Sequence, residues 1–365
     1  MERAALRVVS ADAHVNEPRD LWSANLPAAL RNRAMHGIAA GDDGAWQVLF
    51  DGGGVDMTSR YEADRVRMND PSFRLQILRD EGIVAEAIFP TIGLYVWGLD
   101  DPVGGAASCR IYNEWIADRF AGHARFAAAG LVPTWQMEDA RAEVEWIATN
   151  GLRAIMLPSV AAPDWNHAQW DPLWAAICET GLPVVMHQGT GHSMFFYRGA
   201  GAGVANLLAT QSIGPRTAAL LATSGVLARH PGLHVVFVEY NAGWLAWTMQ
   251  TLDFYTDAFG RYGTTPAGKP WVNPTLPEPP SVYLRRQVHA TFQDDPIGIH
   301  NIESTGASVL LWGNDYPHEE GTYPRSLEVV ERLRAPLSDR DAAAVFGGNA
   351  AAVFGFDLAA LDTLR

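Results

Sequence analysis

Seven residues that can bind a metal ion or carry a proton stand where short apolar runs of this sequence end: Asp12, His14, His187, Glu239, Asp294, Asp295 and Asp315. Asp12 and His14 are two apart, so on an extended chain their side chains share a face. The densest case is VLLWGNDYPHEEGTYP (309–324), where an apolar run reaches Gly313 and Asp315, His318, Glu319 and Glu320 follow at once. A buried strand has no need of such an ending. Each residue alone has a plain reading as a turn, a cap or an ion pair. Gathered at one point, unpaired carboxylates and imidazoles would be costly to bury. A divalent cation compensates both kinds of group together, so a metal site is expected if the runs are strands sharing one mouth.

The elements that would position these residues have the required form. Eight apolar runs read as strands: 6–14, 84–91, 126–134, 153–160, 183–189, 234–240, 289–295 and 308–315. They lack the alternation of a half-exposed strand, which suits strands buried on both faces of a parallel sheet. Amphipathic stretches at 109–122, 137–151 and 170–181 read as intervening helices, the last two stopping at a glycine. Eight strands alternating with helices predict a (β/α)₈ TIM barrel, in which reactive residues gather at the C-terminal strand ends. An open doubly wound sheet would want a glycine-rich turn after its first strand, and SADAHVNEP contains no glycine. Residues 18–70 interrupt the repeat and are expected to be an insertion covering the barrel mouth, with a small hairpin around AWQVLFDGGG. A Pro-rich stretch, 263–281, reads as a surface loop, and the whole of 1–365 as a single domain.

Composition narrows the classes of function. The 365 residues are 48% hydrophobic and only 19% charged, enough for a large core and unlike a disordered chain. A formal charge of −14 disfavours nucleic acid and anionic membranes as partners. The first residues lack the pattern of a secretory signal, and no apolar run approaches the ~20 residues of a membrane span. Cys109 and Cys178 are too few for a disulfide framework and fit buried thiols in the cytoplasm. Thirteen Trp and a long insertion suggest apolar surface that self-association, as a homodimer, would cover.

SADAHVNEP near the start, MHQG in the middle, GNDYPHEEGTYP near the end and the closing VFGGNAAAVFGF (345–356) together resemble the amidohydrolase-related family that includes aminocarboxymuconate-semialdehyde decarboxylase. The resemblance spans nearly the whole chain. It implies a metal-dependent barrel enzyme with one divalent ion held by Asp12, His14, His187 and Asp315. Zinc is favoured by two imidazoles and two carboxylates, with manganese second. It also implies catalytic roles for Asp315 and His187. Two positions depart from the family pattern: Asp12 replaces a His or Glu, and Glu239 stands where a catalytic His is usual. Glu239 either takes over that role or serves structure. RAIMLPSV contains no lysine, so a carbamate-bridged pair of metals is not expected.

The expected substrate is a small carboxylated compound, aromatic or unsaturated. The favoured reaction is decarboxylation, with hydrolysis of an amide, ester or lactone as the alternative and a non-catalytic binding barrel as a further one. The loop QGTGHSMFFYRGAGAG (188–203) is the candidate substrate loop. Phe195, Phe196 and Tyr197 offer ring faces there, and Arg198 could clamp a carboxylate. The same aromatics could instead pack a lid, with Arg198 paired to a surface acid. Trp97 and Trp244 are candidates for the pocket wall, whereas Phe292 and Trp312 are expected to fill the barrel. His318 is placed either beside the ligands or in a turn, and Glu319 and Glu320 in a solvated loop.

Overall fold

A computed structural model describes residues 6–31, 33, 35 and 67–363, together with the backbone of three strands at 38–40, 46–50 and 53–56. The first strand, β1 (Val8–Ser10), is followed by the 18–70 insertion with β2 (Ile38–Ala40), β3 (Trp46–Phe50) and β4 (Gly53–Asp56), which pair antiparallel in that order. The expected hairpin is therefore present as β3 and β4. Whether the insertion covers the barrel mouth depends largely on residues outside those described.

Seven further strands complete the expected eight: β5 (Ile83–Ile88), β6 (Phe126–Leu131), β7 (Ala154–Leu157), β8 (Val184–His187), β9 (Val235–Val238), β10 (Val288–Phe292) and β11 (Leu310–Trp312). Neighbours pair parallel in the order β1-β5-β6-β7-β8-β9-β10-β11. The seam between β11 and β1 is held just past both strands. Ala11 donates its N–H to Trp312 O at 2.9 Å, Asp315 donates to Asp12 O at 2.9 Å and His14 donates to Tyr316 O at 2.7 Å. The sheet is thus a (β/α)₈ barrel, and its seam runs through three of the residues singled out above.

Nearly every residue of the eight barrel strands is buried, because helices cover one face and the barrel interior fills the other. Phe292 and Trp312 are buried inside, where their rings meet Phe346 at centroid distances of 6.5 and 6.4 Å. Phe346 belongs to a wide turn, Ala344–Gly348, that leads into the final helix Asn349–Phe354. The helix expected at 109–122 begins earlier, at Pro102, and runs to Phe120. Asp101 caps it by accepting the N–H groups of Val103 and Gly104 at 2.9 and 3.0 Å. Two glycines disguise that start, because glycine is a poor helix former. Packing requires the second of them: a Cβ on Gly105 would lie 2.5 Å from the Trp135 ring.

Beneath the mouth, the helix Pro71–Asp80 inserts Arg74 as a buried cation. Its Nε donates to Glu86 Oε1 on β5 at 2.5 Å, and its Nη1 donates to His14 O at 2.7 Å. Arg74→Ala should lower stability by about 3–5 kcal/mol, because Glu86 would remain buried without a partner. Arg74→Met combined with Glu86→Leu should recover most of that loss, as measured by urea denaturation.

Candidate metal centre

The strand register brings chemistry to one end of the barrel. Asp12 and His14 continue the inward face of β1, and His187 is the last residue of β8. Glu239 follows β9 directly and Asp315 lies shortly after β11. Glu239 and Asp315 both adopt left-handed backbone, with φ of 63° and 54°. Such a conformation costs an ordinary side chain on the order of 1–3 kcal/mol and concentrates at functional sites. Gly313 permits the close approach of β11 to β1, since a Cβ there would lie 2.4 Å from Asp12 Cβ. Ser10 fixes the approach: its Oγ donates to Asn314 Oδ1 at 2.9 Å and accepts the Asn314 N–H at 3.0 Å.

At the centre two imidazoles meet. His14 Nδ1 lies 2.8 Å from Pro90 O, and His187 Nδ1 lies 2.9 Å from Gln188 O. A carbonyl only accepts, so each Nδ1 carries a hydrogen, and in the neutral rings each Nε2 presents a lone pair. Those two Nε2 atoms are 3.2 Å apart, and each is 3.2 Å from Glu239 Oε1. Asp12 Oδ1 and Asp315 Oδ1 lie 3.5 and 3.6 Å from His14 Nε2. Asp12 Oδ2 accepts from Gln293 at 3.1 Å and Thr291 at 3.3 Å, whereas Asp12 Oδ1 and both Asp315 oxygens accept no regular hydrogen bond. Buried acceptors facing bare lone pairs are what a divalent cation would satisfy, and imidazoles oriented through Nδ1 by carbonyls are typical metal ligands. Asp12, His14, His187 and Glu239 can bring one donor atom each within 4.8 Å of one another, as can His14, Glu239, Asp315 and His318. Glu239 belongs to both groups, so it joins the expected donors.

Protons carry the balance of charge when the site holds no cation. Burial, and then the nearby Glu239 carboxylate, push Asp12 up to about 8. The same two causes hold Asp315 well above the usual carboxylate range. Burial would raise Glu239 as well, but His187, His14 and His318 outweigh it and hold Glu239 low. His318 Nδ1 lies 3.0 Å from Asp315 Oδ1 and 3.2 Å from Glu239 Oε1. Burial works against the imidazolium of His318, but these two carboxylates raise its pKa well above the ordinary value.

A cavity of about 300 Å³ opens over the centre. His187, Glu239 and His318 form its polar floor, with Tyr95, Met194 and Leu207 among its walls and Glu319 and Glu320 at its edge. The substrate loop contributes Met194 to this lining. Phe195, Phe196 and Tyr197 are exposed, and Arg198 donates to the carbonyls of Phe195 and Tyr197. Trp97 is half-buried and donates to Val132 O at 3.1 Å, while Trp244 donates to Asn241 O at 2.8 Å. Trp97, Trp244 and Arg198 do not line this cavity.

The expectation that Asp294 and Asp295 converge on the mouth is corrected. Asp294 is exposed and paired with Arg332 at 2.5 Å. Asp295 caps the helix Pro296–His300 and accepts the N–H groups of Ala242 and Gly243 at 2.8 and 2.7 Å. Thr291 and Gln293, two apart in the same run, hold Asp12 instead. Glu17 was also missed: it is buried, and it orders the wall after β5 by accepting N–H groups of Ile92 and Gly93 at 2.9 and 2.8 Å.

The profile of the amidohydrolase family matches residues 11–356. The chain belongs to that family. Among curated proteins none matches it. An amidohydrolase of Mycobacterium avium subsp. paratuberculosis K-10 shares its fold with a TM-score of 0.75 at 19% identity, covering 96% of this chain and 100% of the other. The 5-carboxyvanillate decarboxylase of Sphingomonas paucimobilis gives 0.69 at 20% identity, covering 96% and 100%. A dihydroxybenzoic acid decarboxylase of Polaromonas sp. JS666, with bound manganese and 2-nitroresorcinol, gives 0.66 at 16% identity, covering 99% and 100%.

Two outcomes follow for this amidohydrolase. Gly313→Ala should push Asp12 away and sharply lower metal content, as measured by elemental analysis. The metal-stripped protein should lose stability as pH rises from about 4 to 8, because Asp12 titrates at 3.8 when unfolded and at about 8 when folded. Melting curves should show a lower Tm at pH 8 than at pH 5. Added metal should reverse the difference, and Asp12→Asn should reduce it, leaving the share of Asp315 and His318.

Proposed function

We propose that this amidohydrolase is a metal-dependent decarboxylase of a small aromatic or unsaturated carboxylic acid. The observation that carries the reading is the pair of bare imidazole Nε2 atoms, 3.2 Å apart among unsatisfied carboxylate oxygens, opening on a cavity of about 300 Å³. That volume is at the small end of ligand sites, which suits a single ring. The fold shared with two aromatic-acid decarboxylases supports the same reading. Asp12, His14, His187, Glu239 and Asp315 would hold one cation. Zinc remains the first expectation for the imidazole pair, while a third carboxylate and the manganese in one structural neighbour support manganese. When bound, such an ion would supply a positive centre for substrate oxygens.

The chain's own groups account for the proton. Decarboxylation breaks the bond between ring carbon and carboxylate, and a proton must replace the CO₂ that leaves. Asp315 would deliver it, since burial favours its protonated form. His318, partly exposed and 3.0 Å away, would connect Asp315 to solvent. Glu239 would hold the imidazoles in place and keep His318 charged. Tyr95, Met194 and Leu207 would hold the ring and exclude water.

Hydrolysis is supported by a different observation. Among the described residues no Lys or Arg lines the cavity, and Glu319 and Glu320 stand at its edge. A substrate without a carboxylate would meet less repulsion there. In that case Asp315 or Glu239 would accept the proton of an attacking water. The two unpaired cysteines suit a reducing compartment, and no helix of the described residues is long and apolar enough to cross a membrane. We place the protein in the cytoplasm.

Elemental analysis should give about one metal equivalent per chain, and His187→Ala should remove most of it. Full retention of metal in that variant would overturn the site. Aromatic acids assayed for CO₂ release, beside esters and lactones assayed for hydrolysis, separate the two reactions. Asp315→Asn should lower the active reaction by ~10²–10⁴-fold while keeping part of the metal. A wild-type rate in that variant would place the proton elsewhere.

A further inference from the structure

Past the ends of β1 and β5 the two chains stay joined, and the join passes from backbone to side chains. Phe89 donates its N–H to Ala13 O at 2.8 Å, and Val15 donates to Phe89 O at 3.0 Å. The next bond of a parallel ladder would run from Thr91 N–H to Val15 O. Here the Thr91 hydroxyl donates to Val15 O instead, at 2.7 Å, and the Thr91 N–H turns to Glu17. Glu17 Oε2 accepts the N–H groups of Thr91 and Ile92 at 3.3 and 2.9 Å, and Oε1 accepts that of Gly93 at 2.8 Å. Ile92 and Gly93 stand at the start of the short helix Gly93–Gly98, where no earlier carbonyl of the helix can take their N–H groups. Glu17 is fully buried, and among the described residues no basic side chain pairs with it. A buried carboxylate of this kind is costly unless several N–H groups compensate it.

The segment that Glu17 holds has two duties. Pro90 O, one residue before Thr91, receives the Nδ1–H of His14 at 2.8 Å. Thr91, Leu94 and Tyr95 line the cavity over the metal centre. We propose that Glu17 is a positioning residue for this centre: it fixes segment 90–95 so that Pro90 O holds the His14 ring and the same segment forms one wall of the cavity. The inference rests on the metal-dependent reading above, and not on which reaction the centre performs.

Without the carboxylate, three N–H groups of the segment lose their acceptor, and a buried donor left unpaired is expensive. The segment must then shift to satisfy them, and Pro90 O moves with it. His14 would lose the contact that sets its tautomer and its aim. His187 is an internal comparison, because its Nδ1 is held by Gln188 O and its own carbonyl accepts from Ser159 and Thr190. None of these groups touches Glu17, so the His187 ring should keep its orientation when Glu17 is changed.

Glu17→Gln keeps the size and one acceptor oxygen of Glu17 but sets an NH₂ group against an N–H donor. Chelator competition on the full chain, with Zn²⁺ and separately with Mn²⁺, should show metal affinity ~10–100-fold weaker in this variant. Glu143→Gln is the control: it weakens a buried ion pair with Arg110 on the outer helix Met137–Thr149, and should lower Tm while leaving metal affinity unchanged. Nitrogen-15 spectra of the metal-free, histidine-labelled chain, assigned from His14→Gln and His187→Gln, should show His14 as the Nδ1–H tautomer in the wild type. Glu17→Gln should give a mixture of His14 tautomers with His187 unchanged. Amide exchange at 91–93 should be slow in the wild type and at least ~10-fold faster in Glu17→Gln. Glu17→Asp, with its charge one methylene short, should fall between the two in every readout, and it carries the test if Glu17→Gln does not fold. A variant with lowered Tm but wild-type metal affinity and an unchanged His14 tautomer would make Glu17 a stabilising cap and overturn the proposal. So would fast exchange at 91–93 in the wild type. A wild-type chain that binds neither metal would overturn the metal-dependent reading, and the His14 tautomer and the exchange at 91–93 would then decide the role of Glu17 alone.

Discussion

Two imidazole lone pairs cannot face each other in a dry site without a positive charge between or beside them. His14 and His187 are placed so, with each Nδ1 committed to a backbone carbonyl and the Nε2 atoms 3.2 Å apart. The surrounding carboxylates face the opposite difficulty, because buried negative charges need a positive partner. Asp12, Glu239 and Asp315 therefore depend on the same positive charge as the imidazoles. In a cation's absence protons take its place, on Asp12, Asp315 and His318.

The barrel holds this arrangement against its own electrostatics. The seam hydrogen bonds between β11 and β1 run through Ala11, Asp12 and His14, so the chain closes the sheet and places the donors with one set of contacts. Arg74 reaches the carbonyl of His14 from below, and Gln293 and Thr291 hold one oxygen of Asp12 and leave the other free. Left-handed backbone at Glu239 and Asp315 turns both carboxylates toward the centre. The cooperative core of the barrel sustains these strained positions, which short isolated segments could not.

Periodicity made the barrel legible. Continuous apolar runs such as PVVMHQG and HVVFVEY, at this length and spacing, suit a strand covered on both faces. Each run expected as a strand is one, although the observed strands are shorter. The helix at Pro102–Phe120 was read too short because Gly104 and Gly105 suppress the local signal, while the reason for Gly105, contact with Trp135, lies outside the helix. At the centre, Asp12, His14, His187 and Asp315 were legible because polar residues ending buried strands require compensation. Glu239 was read with two possible roles. That its carboxylate lies 3.2 Å from both Nε2 atoms, among the groups that could hold a cation, is seen only in the folded chain.

The sequence by itself determined the strands, their order and the set of groups delivered to one end of the barrel. These follow from local patterns of apolar and polar residues, and from the fact that side chains two apart on a strand share a face. Tertiary structure decided which neighbours of those groups take part. Asp294 and Asp295 resembled donors but turn outward, one to Arg332 and the other to a helix end, while Thr291 and Gln293 turn inward to Asp12. It also decided that Arg198 bonds its own loop and that Leu207 meets the cavity. Such choices depend on contacts between residues tens or hundreds of positions apart, and a linear pattern carries no record of which of two adjacent side chains the closed barrel will face.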